Sequence, residues 1–360
     1  MPRSSRMIAG VMMVLIAATL LPGRRLALGQ EPTSKNNPQL QRALERFPAA
    51  DANRDGVLTI SEAQAYRDRE SPQRSAARGG SAPPPTHADV RYGPHERNVL
   101  DLWLAPSDKP APFIVFIHGG GFVGGDKRQI SAALIEEARK EGISVASINY
   151  RFVTTAPFPA PQHDGARAIQ FLRAKAKQYN LDGKRVAAFG GSAGAGISLW
   201  LAFHDDLADP SSDDPIARQS TRLTCVGSLG GQTTYDPRVI REWVGGRAHE
   251  HPSIYLCYGI KSLDEIDAAR LVPLYDEVSA IKHLTADDPP VIMFYNEPNG
   301  PLPADAKPGQ GIHHPVFGLK LKEAMDSLGI EAIYHHQDEF KGNPQTELLD
   351  FFRRHFGKAR

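Results

Sequence analysis

The feature that most constrains the fold of this chain is a regular alternation of apolar runs and helix-length segments over residues 113–356. Each apolar run is five to seven residues long, which is typical of strands. Such alternation favours an α/β domain with a mostly parallel sheet and helices on both faces, expected at 88–358. The predicted strands are 113–117, 143–148, 185–189, 223–229, 291–295 and 331–335, and the predicted helices are about 129–141, 162–179, 193–206, 315–328 and 345–356.

Composition and charge fit an ordinary globular enzyme or binding domain. The 360 residues are 41% hydrophobic and 23% charged, which excludes a disordered, collagen-like or disulfide-scaffold chain. Forty-two basic residues against 41 acidic ones leave a net charge of +1. We therefore expect no nucleic-acid partner. Cys225 and Cys257 allow at most one disulfide and do not report the compartment.

The N-terminus predicts export. Arg3 and Arg6 precede an apolar run over 7–21, and small residues follow a Pro-Gly break, as in a secretory signal peptide at 1–29. The alternative is an uncleaved anchor, but the run is shorter than the ~20 apolar residues that span a bilayer. We expect a secreted or periplasmic protein without a membrane contact after cleavage.

Residues 38–68 predict a small helical EF-hand segment. Its loop matches the pattern D-x-[DN]-x-[DN]-G-x5-E, in which Gly56 allows the sharp turn. EF-hands usually pair and the chain carries one copy, so we expect weak calcium binding; the alternative is an acidic turn that caps two helices. The expected oxygen donors are the side chains of Asp51, Asn53, Asp55 and Glu62, the carbonyl of Val57 and a water held by Thr59. Residues 69–87 are rich in Arg, Ser, Gly and Pro and predict a linker.

Gly190-Gly191-Ser192-Ala193-Gly194 follows a predicted strand and precedes a predicted helix. This context is that of the G-x-S-x-G nucleophile elbow, in which glycines let the chain turn sharply and lift the serine hydroxyl above the sheet. The alternative is a glycine turn that only packs a helix against a strand. We expect Ser192 to be a catalytic nucleophile.

The segment 118–122, His-Gly-Gly-Gly-Phe, directly follows the predicted strand 113–117. Alone, this loop could be a turn or a phosphate cradle, but before a G-x-S-x-G elbow it is typical of an oxyanion loop. The expected donors to an oxyanion are the backbone N–H groups of Gly120, Gly121 and Ala193.

With these motifs the chain resembles α/β-hydrolases of the esterase/lipase group, close to hormone-sensitive-lipase-like enzymes and bacterial feruloyl or acetyl carbohydrate esterases. The resemblance covers nearly all of 89–357 and implies ester hydrolysis by a Ser-acid-His triad without a cofactor, with a cap over the pocket at about 231–285. The stretches that carry it are 89–94, 100–102, 118–127, 149–151, 164–169, 190–194 and 286–290.

The other two triad positions depart from the family pattern. Alignment of the turn 296–303 with the family's G-x-x-D-x-x-V-P places Asn299 in the aspartate position and leaves Glu297 as the nearest carboxylate. The loop 337–342, where the family has its histidine, contains none. For His335 and His336, near the end of the preceding strand, a structural role is favoured.

Another histidine pair lies in the loop before the helix predicted at 315–328. His314, or failing it His313, is our candidate base for Ser192, with Asp338 as the orienting carboxylate. The alternative is that both histidines only shape or cap the loop. The other histidines show no metal-ligand spacing and are expected to be surface or structural: His204, His249, His251, His283 and His355.

The function that these motifs favour is hydrolysis of small or carbohydrate-linked carboxylic esters. A rival from another class is a hydrolase-fold binding or scaffold protein that keeps its pocket with an impaired triad. A third, less favoured hypothesis makes the EF-hand a docking module. The motifs leave the oligomeric state undetermined.

Overall fold

The computed structural model describes residues 33–35, 38–59, 62–63, 66 and 82–357. The chain divides into two compact units, Met1–Arg67 and Asp68–Arg360. The predicted signal peptide and most of the predicted linker lie outside the described residues. In the part that is described, no helix combines the length and the apolar character needed to cross a membrane.

In its described part, the larger unit has one eight-stranded sheet. The strands are β1 His87–Arg91, β2 Val99–Trp103, β3 Ala111–Ile117, β4 Ser144–Ile148, β5 Leu181–Gly191, β6 Cys225–Leu229, β7 Val291–Tyr295 and β8 Ala332–His336. Their order in the sheet is β1-β2-β4-β3-β5-β6-β7-β8. β2 pairs antiparallel with β1 and with β4, and all other neighbours pair parallel, which confirms the predicted mostly parallel sheet.

Helices cover both faces of this sheet, which confirms the predicted α/β-hydrolase architecture. On one face, α2 Ala132–Lys140 and α9 Pro344–Phe356 pack with Trp103 and Phe189. The opposite face packs against the larger core, which includes Ile169, Trp200 and Phe317. Their helices are α3 Ala160–Ala174, α4 Ala193–Phe203 and α8 Val316–Ser327.

The cap predicted at about 231–285 lies between β6 and β7. It consists of three short helices joined by 3-10 turns: α5 Pro237–Val244, α6 Ile254–Tyr258 and α7 Val272–Val278. Its apolar side chains, such as Ile240, Ile254 and Tyr275, are buried with the larger core. The cap is therefore packed as part of the unit.

The smaller unit contains α1 Pro38–Arg46, followed by the loop predicted to bind calcium. Leu40, Ala50, Leu58 and Ala63 form its buried core. The segment before α1 pairs with the loop: the Ser34 N–H donates to the Leu58 carbonyl (2.8 Å), and the Leu58 N–H donates to Ser34 Oγ (2.9 Å). Both main-chain groups of Leu58 thereby gain a partner.

Candidate active site

Ser192 lies at the sharp turn between β5 and α4. Its backbone has φ +53° and ψ −120°, a strained combination for a non-glycine residue that is characteristic of functional turns. The Ser192 N–H donates to the carbonyl of Leu229 (2.9 Å), which holds the turn against β6. The strand-turn-helix context predicted for the G-x-S-x-G motif is thus present.

The glycines of this turn are required by close backbone packing. A Cβ on Gly190 would lie 2.3 Å from the Ile117 carbonyl oxygen, and a Cβ on Gly194 would lie 2.0 Å from that same oxygen. Because neither distance is tolerable, any side chain at these positions would push α4 away from β3. The glycines therefore fix the height of Ser192 above the sheet.

The glycine loop 119–121 runs beside this turn. A Cβ built on Gly119 would lie 3.5 Å from Ser192 Cβ, so the two segments are neighbours. Gly120 has φ +115°, and a Cβ there would meet the Gly124 carbonyl oxygen at 2.1 Å. This compact loop brings its backbone to Ser192, as the oxyanion prediction requires.

His118 anchors the start of the loop and is fully buried. Its Nδ1 lies 2.7 Å from the Gly119 carbonyl oxygen, its Nε2 lies 3.3 Å from Arg97 Nη2, and its ring stacks on Tyr150. Burial, with a smaller contribution from the Arg97 guanidinium, lowers the pKa of His118 to about 4. A neutral imidazole accepts from Arg97 through Nε2 and donates to Gly119 through Nδ1, so His118 holds the loop without a charge.

The loop after β7 brings a histidine and a carboxylate to Ser192. His313 Nε2 lies 2.8 Å from Ser192 Oγ, and His313 Nδ1 lies 3.3 Å from Glu297 Oε1. The side chains of His313 and Glu297 are each about one third exposed, at 32% and 30%. Serine, imidazole and carboxylate therefore form a continuous series of contacts, a hydrogen bond from Ser192 to His313 and an ion-pair contact from His313 to Glu297.

His314, our first choice for the base, lies elsewhere. Its Nε2 contacts the Gly300 carbonyl oxygen (2.8 Å), and its Nδ1 accepts from the Val316 N–H (3.1 Å) at the start of α8. Both ring nitrogens are thereby engaged, and the side chain is buried. His314 has the capping role that was the alternative for this pair, and its neighbour His313 reaches the serine.

The predicted carboxylate partner was also wrong. Asp338 Oδ2 lies 3.3 Å from His336 Nδ1, because β8 ends at His336 and the following turn folds Asp338 back onto that imidazole. Asn299, which the alignment placed in the aspartate position, is an exposed loop residue, whereas Glu297 faces His313. Glu297, the carboxylate that contacts His313, thus lies two residues before Asn299, the position that the alignment selected.

His336 contacts the same loop from the neighbouring strand. Its Nε2 lies 2.8 Å from the Glu297 carbonyl oxygen, and the imidazole is almost fully buried. The residue belongs to β8, where it pairs in register with Tyr295 at the end of β7. His336 therefore holds the backbone of the residue whose side chain contacts His313.

Sequence reasoning missed His251, which was expected to be surface or structural. This cap residue comes close to the glycine loop, since a Cβ on Gly121 would lie 3.5 Å from His251 Cε1. Burial first, and then the nearby His313, lower the pKa of His251. Its Nδ1 lies 2.6 Å from Ser253 Oγ. The sequence carries no signal for this placement, because it depends on how the cap folds back over the elbow.

Two cavities meet at Ser192. A smaller one of about 50 Å³ is lined mainly by apolar groups, including Phe122, Phe158 and Tyr258. A larger groove of about 640 Å³ lies beside His313, with Asn296 and Gln337 among its polar lining residues. The serine hydroxyl is therefore open to a small apolar space and to a wide, partly polar one.

The calcium-loop residues also come together. Asp51 Oδ2 accepts from the Gly56 N–H (2.8 Å), whereas Asp51 Oδ1 is buried and has no hydrogen-bond partner. Glu62 accepts from the N–H and the hydroxyl of Thr59, and these hydrogen bonds lower the pKa of its carboxyl. A buried carboxylate oxygen without a partner, in a loop of hard oxygen donors, fits a calcium ion.

The parallel sheet, the elbow and the Ser–His–carboxylate series together define an α/β-hydrolase. The family model described as BD-FAE matches residues 100–304, and the chain belongs to this family. That match spans β2 to the loop after β7, and it includes Ser192 and Glu297.

Known proteins support the same fold. The chain is 26% identical over 276 residues to the Arabidopsis thaliana protein named "Probable isoprenylcysteine alpha-carbonyl methylesterase ICMEL1", covering 74% of this chain and 54% of that protein. It is 30% identical over 257 residues to Esterase LipQ of Mycobacterium tuberculosis, covering 70% and 55%. The chain thus spans about half the length of these curated relatives. Among solved structures, a truncated carbohydrate esterase from gut microbiota matches with a TM-score of 0.59 at 19% identity, covering 75% of this chain and 96% of that chain.

Proposed function

We propose that the protein hydrolyses carboxylic esters with Ser192 as nucleophile, His313 as general base and Glu297 as the orienting carboxylate. The observation that carries the proposal is the pair of contacts made by His313, 2.8 Å to Ser192 Oγ and 3.3 Å to Glu297 Oε1. The esterase names of the relatives agree with it. Catalysis needs no cofactor, because the three side chains supply the nucleophile and the proton transfer.

In the first half-reaction, Ser192 Oγ attacks the ester carbonyl carbon while His313 Nε2 takes its proton. The carbonyl oxygen becomes an oxyanion, for which we assign the backbone N–H groups of Gly120, Gly121 and Ala193 as donors. When the tetrahedral intermediate collapses, the bond from carbon to the alcohol oxygen breaks, and His313 returns the proton to that oxygen. The products are a free alcohol and an acylated Ser192.

In the second half-reaction, a water molecule attacks the acyl carbon and gives a proton to His313. The bond to Ser192 Oγ then breaks, the serine recovers the proton, and the carboxylic acid leaves. Glu297 stays ionised through both steps. It accepts the His313 Nδ1–H and stabilises the imidazolium that forms each time the proton is taken up.

The two cavities support small acyl groups on larger alcohols. We assign the acyl group to the cavity of about 50 Å³, where Phe122 and Phe158 leave room for only a few carbons. The groove of about 640 Å³ is wide enough for a sugar, and its polar residues suit hydroxyl groups. The proposed substrates are therefore short-chain esters of small or carbohydrate alcohols.

The rival binding-protein hypothesis was based on unfilled acid and base positions. This argument for a binding protein is now weaker, because Glu297 and His313 supply an acid and a base to Ser192 from a single loop. An esterase and a binding protein still differ in one measurable property, which is turnover.

The test is hydrolysis of short-chain aryl esters by the full chain and by Ser192→Ala. We expect the substitution to lower kcat by at least about a thousandfold with the fold intact, because the other groups act only through the nucleophile. Ser327→Ala, an exposed serine on α8, is the matched control and should keep full activity. Equal turnover in wild type and Ser192→Ala would refute the nucleophile, and no turnover in the wild type would favour the binding protein.

We further propose that the loop 51–62 binds calcium and that the protein is exported. Calcium is supported by the buried, unpartnered Asp51 Oδ1, and the donors remain those expected from the sequence. Export is supported by the N-terminal charge and apolar pattern. Detection of the protein outside the cytoplasm with its N-terminal segment removed would test export, and retention of that segment would contradict it.

A further inference from the structure

We propose that His204, Glu277 and His283 form a binding site for a divalent transition-metal ion, and that Zn²⁺ fits it best. Each residue offers one ligand atom, and these atoms lie within 4.8 Å of one another. Two imidazoles and one carboxylate are a donor set that zinc uses in proteins. The site is independent of the proposed ester chemistry.

The distances suit a tetrahedral ion. His204 Nε2 lies 3.5 Å from Glu277 Oε1. Ligands bound at about 2.0–2.1 Å around a tetrahedral zinc are about 3.3 Å from each other. The first pair is therefore close to the separation that zinc requires, and a ligand atom of His283 lies within 4.8 Å of both.

The outer contacts leave a nitrogen of each imidazole free for a metal. His204 Nδ1 lies 2.9 Å from the Asp205 carbonyl oxygen, and His283 Nε2 lies 2.8 Å from the Glu277 carbonyl oxygen. A nitrogen that donates to a carbonyl carries the proton, so His204 Nε2 and His283 Nδ1 keep their lone pairs. Metal-binding histidines typically show this arrangement.

Trp200 makes the site rigid. Its indole N–H donates to the Glu277 carbonyl oxygen (2.7 Å), and its buried ring packs against the His204 imidazole with ring centroids 4.2 Å apart. The Glu277 carbonyl oxygen thus accepts two hydrogen bonds, from Trp200 and from His283, and these fix its backbone. A preorganised carboxylate and imidazole reduce the entropic cost of binding the ion.

The location indicates a structural ion. His204 directly follows α4, and Ser192 directly precedes it, so the site lies about 18 Å along the helix from the elbow. Glu277 belongs to α7 of the cap, and His283 follows shortly after it. A bound ion would therefore link the end of α4 to the cap, and the partly exposed side chains of His204 (16%) and Glu277 (34%) leave room for a water as fourth ligand.

The experiment is a calorimetric titration of the full chain with Zn²⁺, in buffer with saturating Ca²⁺ so that the predicted calcium loop does not compete. We expect one zinc per chain at this site. Glu277→Gln and His283→Asn, which remove a charge and a ligand on the surface, should each weaken that binding at least tenfold. Co²⁺ in place of zinc should give the visible absorption bands of a four-coordinate ion in the wild type and lose them in both variants.

The matched control is His355→Gln, which removes another histidine paired with a carboxylate, Glu331. It should bind zinc like the wild type. Thermal unfolding gives a second readout, because zinc should raise the Tm of the wild type and of His355→Gln but not of Glu277→Gln. Unchanged zinc affinity in Glu277→Gln and His283→Asn, or no binding by the wild type, would overturn the site.

Discussion

At the scale of single residues, the proposed base depends on a carboxylate sixteen positions earlier in the same loop. Glu297 has a longer side chain than the aspartate that the family resemblance implies. The extra methylene lets a residue further back in the loop reach His313 Nδ1. In the proposed mechanism, these two side chains, each about one third exposed, act on Ser192 as one unit.

Replacement of Glu297 by Gln should lower kcat by about a thousand- to ten-thousandfold. An amide can hold the imidazole but cannot stabilise imidazolium, and in a serine protease the corresponding change costs about ten-thousandfold. Stopped-flow acylation by an aryl ester measures the effect. The double variant Glu297→Gln/His313→Ala should lose little more than His313→Ala alone.

Asn299→Ala is the matched control for this prediction, since Asn299 is exposed in the same loop and is the residue that alignment would select. We expect its kcat to stay within about twofold of the wild type, as is usual for an exposed residue without a special role. A larger loss in Asn299→Ala than in Glu297→Gln would contradict the assignment of the acid.

Ser192 and the glycine loop could be predicted because their backbone geometry requires particular residue types at adjacent positions. The elbow requires glycine where Gly190 and Gly194 contact the Ile117 carbonyl, and these glycines are part of the G-x-S-x-G pattern. His313 was predicted only as second choice, and Glu297 only as the nearest carboxylate. Which of two adjacent histidines faces the serine depends on the path of a loop, and sequence spacing does not specify that path.

At the scale of elements, the end of β8 supports the loop after β7. His336 Nε2 lies 2.8 Å from the carbonyl oxygen of Glu297. The family resemblance implied a catalytic histidine in the loop that directly follows His336. The imidazole contacts the main chain of the acid and its own neighbour Asp338. We therefore assign His336 as a positioning residue for Glu297.

His336→Ala should lower kcat about ten- to a hundredfold with little change in KM, because Glu297 loses its backbone support while the two cavities stay intact. The lost hydrogen bond should also lower the free energy of unfolding by about 1–3 kcal/mol, since the Glu297 carbonyl is left without a partner. Kinetics well below the unfolding temperature separate the two effects.

His336→Gln restores an N–H at comparable reach and should recover most of the lost kcat. Asp338→Asn, which changes an exposed group, should leave kcat nearly unchanged. If His336→Ala kept full kcat, the positioning role would be excluded.

The central parallel strands could be predicted because they are buried on both faces. All five residues of β7 are buried and apolar, and β4 is buried throughout with apolar side chains at Val145, Ala146 and Ile148. The two antiparallel strands β1 and β2 were not predicted as strands, since β1 lies at the sheet edge with mostly exposed residues. Edge strands carry polar side chains, which weakens their hydrophobic signal.

At the scale of the whole molecule, the proposed sites are divided between two units of unequal size. The larger unit carries the proposed ester and zinc sites, and the smaller one carries the proposed calcium loop. In the part of the smaller unit that the structure describes, the buried core has four residues, so the proposed ion would have a large share in its stability.

Asp51→Asn should abolish calcium binding, because it replaces a charged ligand whose buried Oδ1 has no other partner. Titration calorimetry on the full chain should give a Kd of about 0.1–1 mM for the wild type, the range of extracellular modules. Asp305→Asn, an exposed aspartate of the larger unit, is the control and should bind like the wild type. Identical heats for Asp51→Asn and the wild type would refute calcium binding at this loop.

The change of composition along the chain predicts an EF-hand segment at 38–68 and an α/β domain at 88–358, and the chain divides into Met1–Arg67 and Asp68–Arg360. The proposed zinc site could not be predicted, because its ligands are separated by 73 and 6 positions and come together only after the cap packs on α4. Short-range sequence patterns predict turns and strands. A site whose ligands come from distant parts of the chain has no fixed ligand spacing by which the sequence could reveal it.

The pairing of Ser34 with Leu58 gives the segment before α1 a role in the stability of the smaller unit. The proposed export signal ends at residue 29, and the proposed calcium loop pairs with a segment that begins only a few residues later. A peptidase that cut after Lys35 would strip this support while leaving every proposed calcium ligand in place. Calcium affinity would then report how the protein had been processed, and two forms of one gene product would differ in their response to the ion without a single substitution.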